Sequence, residues 1–140
     1  MAKIAVVYWS ETGNTEQMAE GVAEGIRSAG SEVALVPAAD FDPATCGNYD
    51  AIAFGCPAMG TEVLEEDVFE PMYERAEPYL SGKKIALFGS YDWGDGGWMR
   101  EWVDRAEGVG ANVVSNLIVN LTPGEAELNE CREVGKKLAG

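Results

Sequence analysis

Histidine is absent from this 140-residue sequence, and with it go the commonest general base and the commonest metal ligand. Most hydrolytic triads are thereby excluded. Cysteine is scarce: Cys46, Cys56 and Cys131 are odd in number and form no CxxC pair, which argues against a disulfide framework or a zinc knuckle and for reduced thiols. No apolar run approaches the roughly 18 residues that a membrane span needs, and MAKIAVVYW turns polar too soon for a signal peptide. The expectation is a soluble, cytoplasmic protein. Positive charge is also short. The net charge is -14, and no Lys or Arg lies between Arg27 and Arg75. That balance argues against binding to nucleic acid or to an anionic membrane, because both require neutralised phosphates. A basic or mixed-charge protein partner fits better.

What the chain does contain is alternation. With 46% hydrophobic residues it can bury one core, and one domain over residues 1–140 is expected. No repeat, linker or low-complexity tract interrupts it. Short apolar runs at 3–9, 32–37, 51–56, 84–90 and 112–121 read as strands. Segments 14–29, 64–80, 97–109 and 125–138 read as helices, although Pro71 and Pro78 blur the limits of the second. The pattern predicts an α/β domain built on a five-stranded parallel sheet. Ligands of such sheets bind beyond the carboxyl ends of the strands, which directs attention to three loops: SETGNT, PAMGTE and YDWGDGGW.

SETGNT, at 10–15, joins a strand to a helix N-terminus, where free N–H groups and the helix dipole attract an anion. Ser10, Thr12, Asn14 and Thr15 add neutral donors, and Gly13 permits a tight turn. The GK[ST] of a triphosphate loop and the spaced glycines of a dinucleotide fingerprint are both missing. A single terminal phosphate is what such donors suit. The same residues also serve as an ordinary helix cap, with Asn14 and Gln17 resembling a capping box, and taken alone that reading is preferred. Four hydroxyl or amide side chains nevertheless exceed what one cap requires. In YDWGDGGW, Tyr91 and Trp93 stand in a glycine-rich loop able to clasp a flat ring, whereas Trp98, Met99 and Trp102 read as helix packing. PAMGTE offers Met59 as an adaptable apolar contact, then Gly60, then Glu62. Glu62, Glu65, Glu66 and Asp67 suit either a hard cation or a dipole-matched helix start, the second being the commoner arrangement.

Together and in this order, YWSETGNT, GCPAMGTEVLEE and LFGSYDWGDGGWM resemble the short-chain flavodoxins over essentially the whole chain. The resemblance implies a flavodoxin-like three-layer sandwich, and the strand order 2-1-3-4-5 comes with it, flavodoxin being the type example, not from the residue pattern. It also implies noncovalently bound FMN. Ser10, Glu11, Thr12, Gly13, Asn14 and Thr15 would wrap the phosphate, with Trp9 close by. Met59 would cover one face of the ring and Trp93 the other, with Ala58 also among the cofactor-binding residues. Glu62 would accept from the flavin N3–H, with the Thr61 N–H near O4 or N5, while Ser90, Tyr91, Asp92 and Trp93 would enclose the pyrimidine edge and ribityl chain.

The implied activity is low-potential one-electron transfer between redox enzymes, through oxidised, semiquinone and hydroquinone FMN, without substrate turnover by the protein itself. In the family, the carbonyl at the position of Gly60 turns toward reduced N5. At Asp92, where the family commonly has glycine, a carboxylate near N1 would disfavour the anionic hydroquinone. The acidic stretch Glu62–Glu74 becomes a docking face for a basic redox partner, and the carrier is expected to be a monomer. Two other uses of the fold fit less well. A flavin reductase needs a nicotinamide site that the short loops leave little room for. A phospho-accepting signalling domain needs an acidic pocket after the first strand, where this chain has SETGNT.

Overall fold

A computed structural model of the protein describes residues 2–60, 62–92 and 94–140. Five strands, β1 (Lys3–Tyr8), β2 (Glu32–Pro37), β3 (Ala51–Gly55), β4 (Lys84–Tyr91) and β5 (Asn112–Asn120), pair in parallel in the order β2-β1-β3-β4-β5. The order changes direction between β1 and β3, which places a crevice beyond the ends of these strands. The inner strands are near-continuous apolar runs because both sheet faces are covered. Ala5, Val7, Ile52, Phe54, Ile85 and Leu87 point to one layer, and Ile4, Val6, Ala51, Ala53, Ala86 and Phe88 to the other. The period of two thus sorts a continuous run into two cores.

The first core takes α2 (Phe69–Ala76) and α3 (Gly97–Gly108) through Phe69, Met72, Tyr73, Trp98 and Trp102. The second takes α1 (Asn14–Ser28) and α4 (Glu125–Ala139) through Met18, Val22, Ile26, Cys131 and Leu138. Helices α1 and α4 approach closely enough that a Cβ on Gly25 would stand 1.9 Å from the Arg132 carbonyl oxygen.

The helix expected over 64–80 is shorter. It runs from Phe69 to Ala76 and tightens into a 3₁₀ turn at Glu77–Tyr79, because Pro78 has no N–H to continue the α pattern. Its start is set by Glu65, a 6% exposed carboxylate that accepts the N–H groups of Asp67, Val68 and Phe69 at 2.8 Å each. Of the two uses open to these acidic residues, Glu65 therefore takes the helix start. The segment after β2 forms two short 3₁₀ turns, Ala38–Asp40 and Pro43–Asn48.

Candidate functional site

Beyond β1 the backbone is carried by Trp9, whose N–H donates to the Gly55 carbonyl at 2.9 Å, and then turns through Gly13 at φ +93° into α1. The capping box expected from Asn14 and Gln17 does not form. Ser10 takes that task, its Oγ accepting the N–H groups of Gly13 and Glu16 at 3.2 Å each. The N–H groups of Asn14 and Thr15 then have no acceptor among the described residues. Two donors at the positive end of α1 are left pointing at whatever anion arrives. Thr15 is buried, with its Oγ1 2.9 Å from the Oγ of Ser90, so the end of β4 is fastened to the first turn of α1.

These segments enclose a cleft of about 180 Å³ at the sheet's switch point. Ser10, Glu11, Thr12, Asn14 and Thr15 line it from the first loop, Ala58 and Met59 from the loop after β3, and Ser90, Tyr91 and Asp92 from the end of β4. No basic side chain is among the described residues that line it. Gly13 shapes the turn without lining the cleft. Trp9 faces a neighbouring hollow with Tyr8 and Pro37, one residue from the shared Ser10.

The loop after β3 closes on itself. Met59 and Val63 exchange backbone hydrogen bonds of 2.8 and 3.1 Å, with Gly60 at φ +45° and Glu62 at φ +58° between them. The Glu62 carboxylate lies at the N-terminus of α3, 3.4 Å from the Trp98 N–H it accepts, and so outside the small cleft. The expectations for Thr61 and Trp93 fall on residues outside those the structure describes. Two lining residues escaped the sequence reading, Pro57 and Leu121. Leu121 was within reach of the sheet-edge argument, since it follows the carboxyl end of β5, a fourth loop at the same edge.

The donor set suits a phosphomonoester. It consists of hydroxyls, an amide and free helix N–H groups, with no lysine to balance a triphosphate. Fold and cleft together define a doubly wound α/β protein that takes a mononucleotide at its switch point. Comparison with known proteins carries this to a family. The pattern of the family described as Flavodoxin matches residues 6–135. The flavodoxin of Clostridium beijerinckii is 51% identical over 135 residues, covering 96% of this chain and 97% of that one. The solution structure of two-electron reduced Megasphaera elsdenii flavodoxin is 45% identical, with a TM-score of 0.91 over 97% of this chain and 98% of that one. A flavodoxin from the domain Archaea superposes with a TM-score of 0.88 at 28% identity, covering 98% of this chain and 96% of that one. The chain belongs to the flavodoxin family. It is an FMN-binding electron carrier.

Proposed function

We propose that the chain is a single-domain, monomeric, cytoplasmic carrier that passes electrons one at a time at low potential and turns over no substrate of its own. Bound FMN supplies the one-electron chemistry, and the protein supplies binding, orientation and electrostatics. The observation that carries this reading is a cradle with no basic side chain among its described residues, in which the free N–H groups of Asn14 and Thr15 join the hydroxyls of Ser10 and Thr12. In it Ser10, Thr12, Asn14 and Thr15 hold the phosphate, and Ser90, Tyr91 and Asp92 border the ribityl chain and pyrimidine edge. Met59 packs on the ring, with Trp93 assigned to the other face. Glu62 has one carboxylate oxygen committed to the Trp98 N–H and offers the other to the ring imide N–H.

The docking face is narrower than the run of acidic residues suggests. Glu65 is consumed inside the fold, and Glu70 is held by Arg105 in a bidentate pair at 2.7 Å for both bonds. Glu66, Asp67 and Glu74 remain exposed. These three, with Glu62, steer a basic partner toward the cofactor edge.

The test begins with the visible spectrum of the purified protein. Flavin bands, and a transfer rate to a basic redox partner that falls as salt rises, support the reading. A colourless protein that takes up no added FMN overturns it. Steady oxidation of NADPH by the protein alone would instead make it a reductase.

A further inference from the structure

We propose that Leu121 is a cofactor-retaining residue, an apolar outer wall of the cleft that hinders the escape of FMN. This rests on the FMN reading of the cleft and adds a residue to it. Strand β5 ends at Asn120, and the next residue, Leu121, stands at φ +58°. That left-handed region suits glycine or asparagine and is unfavourable for leucine. Core packing does not explain the choice, because Leu121 is 51% exposed. A large apolar side chain that is both strained and half in water has no benefit to the fold, and such strain gathers at ligand sites.

The backbone shows what holds it there. The Leu121 N–H donates to the Tyr91 carbonyl at 2.7 Å, and the Asn120 Nδ2 donates to the same oxygen at 3.2 Å. Tyr91 is the last residue of β4 and itself lines the cleft. The two donors thereby fix the chain leaving β5 against the end of β4, and Leu121 joins Tyr91 and Asp92 in lining the cleft. Most of the lining residues are polar, and the apolar ones besides Leu121 include Pro57, Ala58 and Met59 of the loop after β3. A leucine on the far rim covers carbon of the bound cofactor and keeps water from competing for the neighbouring donors. The strain is retained because the ligand uses the side chain.

The experiment is serial dilution of the flavin-loaded protein, with release followed as the recovery of flavin fluorescence, for the parent and for Leu121→Asn and Leu121→Met. Thermal unfolding of each chain after FMN removal is measured alongside. Asparagine tolerates the left-handed backbone, so Leu121→Asn keeps or raises the Tm of the flavin-free chain. Its Kd for FMN rises about tenfold, the loss of part of a leucine's apolar contact. Leu121→Met restores the parent Kd. An unchanged Kd in Leu121→Asn overturns the proposal and leaves Leu121 as surface available to a partner. A raised Kd accompanied by a lowered flavin-free Tm also overturns it, since the loss then comes through the fold. A parent that retains no flavin removes the FMN reading itself, before any variant is compared.

Discussion

The side-chain oxygens of Thr15 and Ser90 lie 2.9 Å apart, joining the first turn of α1 to the end of β4 across 75 positions of sequence. Both residues are buried, at 1% and 6% exposure. The Ser90 N–H adds a longer bond of 3.4 Å to the same Thr15 oxygen. This pair sets the distance between two walls of the cleft before any ligand enters, so less ordering remains to be done on binding.

Thr15→Val keeps the shape of the side chain and removes the hydroxyl, leaving Ser90 without its buried partner. We expect a loss of about 1–3 kcal/mol, the cost of an unsatisfied buried polar group. Ser90→Ala should cost less, and the double variant less than the sum of the two singles. Urea unfolding of the four proteins measures the coupling. Strictly additive losses would mean that the contact contributes nothing.

A different charge argument applies to Asp92, which is exposed on the rim of the cleft. We expect its carboxylate to oppose the second electron, the one that makes the bound cofactor anionic. Through largely aqueous surroundings the effect is about 20–60 mV. Asp92→Asn should therefore raise the second one-electron potential by that amount and move the first much less. Potentiometric titration of both couples decides it, and a second couple that does not move removes Asp92 from the tuning.

Much of this was legible in the residue pattern, for identifiable reasons. Five apolar runs separated by amphipathic segments fix the strands, since β1, β3 and β4 are buried on both faces and leave no polar alternation to misread. SETGNT could be placed at a helix start because cap residues and strand ends are local signals. The less visible features depend on contacts distant in sequence. Glu65 looks like one surface carboxylate among several until its three backbone donors fold around it. Asn14 and Gln17 look like a capping box, but the Gln17 N–H goes to the Gly13 carbonyl, and Ser10, on the preceding turn, accepts the N–H groups of Gly13 and Glu16. Leu121 is marked only by its place after the carboxyl end of β5; that it lines the cleft depends on the pairing of β5 with β4.

Close helix contact yields a prediction of opposite signs for one kind of substitution. At Gly25 a Cβ would stand 1.9 Å from the Arg132 carbonyl oxygen and 2.7 Å from its carbon, both backbone atoms of α4. Gly135 meets the Val22 carbonyl of α1 in the same way, at 2.1 Å. Gly25→Ala should force α1 and α4 apart and cost about 3 kcal/mol. At Gly108, the last residue of α3, nothing lies within 4 Å of the added atom. Gly108→Ala should instead stabilise by about 0.5–1 kcal/mol, through a less flexible unfolded chain. Thermal unfolding of the two variants compares them directly, and a Gly25→Ala protein as stable as the parent would contradict the packing seen between α1 and α4.

Alkaline stability follows from the three thiols, all fully buried. Burial is the main cause that raises each above its ordinary value of 9.0: Cys46 to about 11, Cys131 to about 12, and Cys56 in the same direction. The folded protein therefore holds thiol protons that the unfolded chain releases near pH 9. A raised value contributes stability that is fully present below the unfolded pKa and is lost as pH climbs toward the folded one. Across that window each thiol should remove about 1.4 kcal/mol per pH unit. Urea unfolding in the presence of reductant, at about pH 8 and about pH 10, should show a marked fall between the two. Cys46→Ala is less stable at both because of the cavity it leaves, yet its fall between them should be smaller than the parent's, since one of the ionising groups is gone. An equal fall in parent and variant would exclude Cys46 from the transition.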